Sequence, residues 1–156
     1  MFRRVFIGVL SAILLLIAAP AFGAPPVTET TTEHKATETF IDVVPSCEAD
    51  GPAYEVTVTY NEVEHITVFA DGSEHDTFTQ TGTFVASPVD DPTLPTYTGK
   101  FTVWGGFNAN GQTVNGTFTF NLRGTGSDGS TLSVHQVDHF NTTPTGAEFF
   151  FTHCRD

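Results

Sequence analysis

Val56-Thr57-Val58-Thr59-Tyr60, Phe101-Thr102-Val103-Trp104 and Thr117-Phe118-Thr119-Phe120 all alternate apolar residues with polar ones, threonine in nearly every case. Successive side chains of a strand point to opposite faces, so a two-residue repeat makes one apolar face and one hydroxylated face. These stretches therefore predict an antiparallel all-β domain. The composition agrees, with 15 Phe against 1 Met, since aromatic and β-branched residues suit a pleated, half-buried surface.

Working outward, turn residues divide the chain into eight expected strands: Thr37–Val44, Tyr54–Glu62, Val63–Phe69, His75–Ala86, Thr96–Trp104, Thr113–Arg123, Thr131–Phe140 and Ala147–Cys154. Pro45 stops the first. Asp71-Gly72 and Asn110-Gly111 suit the positive φ angles of tight hairpins, and Gly124 to Gly129 forms another turn. Pro88, Pro92 and Pro95 make the stretch between them a loop. Eight short strands without a helical period leave an up-and-down β-barrel or a two-sheet β-sandwich. Most connections are of hairpin length, which favours the barrel.

The start of the chain has the layout of an export signal. Arg3 and Arg4 precede an uncharged run from Val5 to Ala19, followed by the small-x-small sites Ala19-Pro20-Ala21 and Ala21-Phe22-Gly23. That run is shorter than the roughly twenty residues a spanning helix needs. Residues 1–23 are thus expected to be removed, leaving a secreted protein with no membrane insertion. Residues 24–36, rich in Pro, Thr and Glu, bury too little apolar surface to offset their ordering entropy and are expected to be a disordered lead-in. Residues 37–156 then form a single domain.

Charge restricts the partners. The formal net charge is −12, and loss of the leader with Arg3 and Arg4 takes it to −14. Nucleic-acid binding rests on clustered Lys and Arg, and only Lys35, Lys100, Arg123 and Arg155 remain. Such a charge favours solubility and a monomer. Cys47 and Cys154, the only two cysteines, have one possible pairing in an oxidising compartment. Chain entropy assigns roughly 4 to 5 kcal/mol to a loop of about a hundred residues. The bridge would bring the segment around Cys47 beside the last strand.

Several segments carry a resemblance. Glu62 to His65, Asp71 to Phe84, Tyr97 to Asn108 and Gly124 to Ser130 before His135 and His139 are similar to secreted, uncharacterised β-rich proteins of actinobacteria. That likeness implies export and a β-fold, and no activity. More distantly, the arrangement resembles the allene oxide cyclase-like barrel, a small eight-stranded closed sheet. None of that enzyme's catalytic motifs can be laid on this chain, so its isomerase chemistry is not implied.

No residue spacing forms a catalytic or cofactor motif, and no cofactor is expected. His135 and His139 sit on an alternating segment, which separates them by roughly 13 Å, against Zn–N bonds of about 2 Å. A metal would need help from His65 or His75 on neighbouring strands, and none is expected. Ser133, His135, Val137 and His139 share one face; Leu132, Val134, Gln136 and Asp138 share the other. Likewise Glu62, Glu64 and Ile66 oppose Val63, His65 and Thr67. Such mixed faces fit a barrel wall with a partly polar interior, where a carboxylate and an imidazole from adjacent strands could form an acid–base pair. Trp104 before Gly105-Gly106-Phe107 offers a second site, because glycines beside an exposed aromatic let a ligand approach; the plainer reading is a strand end capping the core.

Ser127 lacks a glycine two residues before it and is no nucleophile elbow. The Gly124–Ser130 loop has only Asp128 and lacks the ordered acids of a calcium site. The candidate ligand-binding residues are then Glu64, His65, His75, Trp104, His135 and His139. The expectation is a secreted acidic barrel that binds a small, partly apolar molecule or a surface partner without catalysis. Its rivals are an isomerase or cyclase with a barrel-interior site, and an extracellular interaction protein without a cavity.

Overall fold

The structure, a computed structural model, describes residues 23–44, 47 and 51–155. Apart from Gly23, the expected export signal lies outside the described residues, as does Pro45. Among the described residues there is no helix. Seven strands run β1 (Val27–Val43), β2 (Ala53–Val68), β3 (Glu74–Pro88), β4 (Tyr97–Ala109), β5 (Val114–Gly126), β6 (Thr131–Thr142) and β7 (Glu148–Arg155). They form one antiparallel sheet in sequence order, each strand paired with the next.

Two expectations about the strands need correction. The expected second and third strands are one continuous β2, because no turn former separates Glu62 from Val63 and the ladder to β3 runs unbroken from Tyr54 to Val68. The lead-in expected to be disordered is instead the first half of β1, paired from Val27 to Glu33 with the far end of β2. Composition judged this segment by the apolar area it could bury, and its side chains are indeed exposed. Backbone pairing and cross-strand hydroxyl bonds hold it, such as Thr28 to Thr67 at 2.9 Å. A bulge at Lys35, with φ 55°, inserts one extra residue and keeps Glu33 and Ala36 on the same face.

The turns follow the sequence. Gly72 and Gly111 adopt φ of 80° and 77°, and Asp71 Oδ1 accepts hydrogen bonds from the Ser73 backbone and hydroxyl at 3.0 and 2.6 Å. The Gly124–Gly129 turn is tighter than expected, since β5 continues to Gly126 and Gly129, at φ 87°, makes the bend.

The core lies on one face of this sheet. Tyr54, Val56, Tyr60, Phe84, Ala86, Tyr97, Phe101 and Leu132 are buried together. Phe84 lies over Gly99 and Gly124 on the two next strands, where an added Cβ would come within 2.7 Å of its ring. Tyr54 on β2 and Tyr97 on β4 meet across β3, with ring centroids 5.9 Å apart.

No pairing joins β1 to β7 among the described residues, so the sheet is not closed. It is nevertheless strongly bent. A flat sheet of this width would span about 29 Å at roughly 4.8 Å per strand, yet Cys47, just past β1, is disulfide-bonded to Cys154 on β7 with Cα atoms 5.5 Å apart. The sheet wraps around its core, giving an inner and an outer face.

Candidate functional site

Register and alternation together assign every strand residue to a face. The inner face carries Glu29, Glu33, Glu38 and Asp42 on β1, Glu62 and Glu64 on β2, Glu74 and Asp76 on β3, Asp138 on β6 and Glu148 on β7. Those are ten of the chain's 18 acidic residues. Among strand residues with a register partner, no Lys or Arg shares that face; the outer face has Lys100, Arg123, Arg155 and a single acid, Glu55, and Lys35 sits at the β1 bulge outside the register.

Beyond the apolar core, the inner face becomes a mixture of carboxyls and phenyl rings. One cross-strand row runs Glu64, Phe78, Gly105, Phe118, Asp138, and the next runs Asp76, Phe107, Gly116, Phe140. Phe118 lies at 5.5 Å from both Phe78 and Phe140, parallel to the latter within 7°. The aromatic rings thus form a strip with carboxyls at either side.

Several of these acids are buried: Asp76 is 2% exposed, Glu62 and Asp138 8% each. Amides satisfy part of the set, with Gln80 Nε2 donating to Glu62 at 3.1 Å and Gln136 Nε2 to Asp138 at 2.7 Å. Tyr60 donates its hydroxyl to Glu38 at 2.7 Å, and burial first, then that bond, holds the phenol protonated. Asp76 Oδ1 and Asp138 Oδ1 are buried and receive no hydrogen bond. A buried carboxylate oxygen without a donor is costly, and such an atom calls for a proton, a water or a bound group.

Electrostatics agree with that reading. Burial raises the Glu64 carboxyl above its ordinary value, and the nearby Asp76 charge raises it further; Asp76 and Glu62 are raised by burial too.

The candidates named from sequence divide between the faces. Glu64 is on the inner face, whereas His65, His75, Trp104, His135 and His139 are all on the outer face. An interior carboxylate–imidazole pair is therefore absent among these residues: Glu64 and His65 are consecutive in a strand and must point apart. Each histidine instead bonds sideways through Nδ1, to Thr30, Asn108, Asn121 and Thr117 respectively, at 2.6 to 2.8 Å. No three His, Cys, Asp or Glu side chains among the described residues converge as a metal site. Trp104 is not at a strand end; it lies mid-β4, 40% exposed, and Gly105 and Gly106 continue the strand.

Sequence reasoning missed Asp76, Glu62, Asp138 and the phenylalanine strip. A signal for Asp76 existed, since it shares parity with Phe78, Phe84 and Ala86 and so had to be a carboxyl on the core face. No protein-family model, curated protein or solved structure matches the chain.

Proposed function

We propose that the protein is a secreted, non-catalytic binding protein whose sheet curls into an incomplete barrel, and that the acid-and-phenyl inner face takes a small organic cation with an apolar body. The observation that carries this reading is the buried Asp76, whose Oδ1 lacks a donor on a face that has carboxyls and no basic residue. An ammonium group supplies the missing donors and offsets the carboxylate charge, and phenyl rings attract cations through their π faces. Small-ligand sites combine apolar walls with a few polar anchors in this manner. The isomerase or cyclase reading asks for an imidazole among these carboxyls, and His65, His135 and His139, on which it would draw, face outward. The bridge between Cys47 and Cys154 suits an oxidising, extracellular setting.

Calorimetric titration with phenethylammonium and with its neutral counterpart 2-phenylethanol tests the idea. The ammonium should bind and the alcohol should not compete. Asp76→Asn should weaken the ammonium about thirtyfold or more, matching the roughly 2 kcal/mol lower limit for losing one partner of a buried charge pair. Equal affinity for both compounds, or none for the ammonium, contradicts the reading.

A further inference from the structure

We infer that the outer face between Trp104 and Phe151 is a second binding platform, built for a neutral oligosaccharide. This is independent of the inner-face reading. Trp104 is on β4 and Phe151 on β7, three strand spacings and two residues of register apart, or roughly 16 Å along the sheet, a length that a tri- or tetrasaccharide spans. Their exposures are 40% and 61%. Between them Thr117 and His139 pair across β5 and β6, with Thr117 Oγ1 and His139 Nδ1 2.8 Å apart, and the His139 ring lies 6.3 Å from that of Phe151. Asn115 and Asn141 face each other in the adjoining row. Asn115, Thr117, His139, Asn141 and Phe151 line a groove of about 480 Å³, within the range of small-molecule sites, and Trp104 stands outside its walls as a separate aromatic contact.

Three features select a sugar. A pyranose ring offers an apolar C–H face that stacks on aromatic side chains, and a rim of hydroxyls that both donate and accept; amides, imidazoles and threonine hydroxyls are the matching groups. The patch has no charged residue, although the chain carries −12 overall, so it suits an uncharged partner. Its polar groups are also fixed in advance. His75 donates from Nδ1 to Asn108 Oδ1 at 2.7 Å, and Asn108 Nδ2 reaches Asn115 Oδ1 at 3.4 Å, which holds these side chains in one geometry while the His75 Nε2 is left to accept from an outside hydroxyl.

Trp104 is the only tryptophan and reports on its own site. Emission of the disulfide-bonded secreted protein should shift on titration with at least one of cellohexaose, xylohexaose, mannohexaose and chitohexaose. The matching disaccharide should bind at least tenfold more weakly. By calorimetry Trp104→Ala should weaken the hexasaccharide about thirtyfold, as for a buried aromatic anchor, and His139→Ala should weaken it while leaving the melting temperature and phenethylammonium binding unchanged. The proposal is overturned if no hexasaccharide shifts the emission, if the disaccharide binds equally, or if Trp104→Ala retains affinity. It is also overturned if sedimentation shows a dimer that Trp104→Ala dissociates while no sugar binds, for then the face pairs with a second copy.

Discussion

Asp76 is the residue at which burial, charge and hydrogen bonding conflict most. Its carboxyl and that of Glu64 are both raised by burial, so the folded chain holds protons that the unfolded chain releases at the same pH. A group whose folded value is raised contributes stability that is complete below its unfolded value and is lost as pH climbs through the folded one. The melting temperature should therefore rise as the pH falls from 7.5 toward 5, and calorimetric scans across that window check it. Asp76→Asn should flatten this dependence and raise the melting temperature at pH 7.5, because an amide can donate to Glu64 without a charge. Asp71, Asp91 and Asp128 act oppositely: hydrogen bonds from Ser73, Thr93 and Ser130 lower them, and their contribution fades only as pH falls below the usual carboxylate range. Ligand binding should run against the first trend, since protonating Asp76 removes the charge an ammonium needs. That Glu64 and His65 face apart was legible in the sequence, from alternation alone. Which of them faces the core was not, because that depends on pairing with distant strands.

At the level of single elements, β3 contributes Phe84 and Ala86 to the buried core. Phe84 sits over glycines of β4 and β5, so its ring fills space that three strands share. Phe84→Ala should cost about 3 to 5 kcal/mol in urea unfolding, as for other buried phenylalanines. β1 makes a different demonstration, for its first half is stabilised almost wholly by the ladder to β2. Amide exchange followed by NMR should show slow amides at alternate positions from Val27 to Glu33, where N–H groups point toward β2, and fast ones between. Uniformly fast exchange would mean that the pairing does not persist in solution. Strand placement from His75 onward was legible, since β-branched alternation and Asx-Gly turns agree there. The first half of β1 was not, because its hydrophilic composition hides a backbone interaction that composition does not measure, and β2 was split where the sequence holds no turn former.

Across the whole molecule, one covalent bond and one charge pattern govern behaviour. The disulfide joins elements 107 residues apart and holds the sheet bent around the core. Replacing both cysteines by alanine should cost about 2 to 5 kcal/mol, read as a lower midpoint in urea without loss of strand content by circular dichroism. The pairing itself was legible from two cysteines in a chain whose start has the layout of an export signal. Closure was not, since hairpin connections specify neighbours and leave open whether the outermost strands meet. The segregation of acids inward and histidines outward emerges only when all six registers are laid side by side. Chemical-shift mapping with phenethylammonium at neutral pH addresses that division directly. Concentration-dependent shifts should centre on Glu64, Asp76, Phe78 and Phe118, with His65, His75 and Trp104 unmoved. Shifts confined to the outer-face histidines, or none at all, would contradict an inner face built to hold a cation.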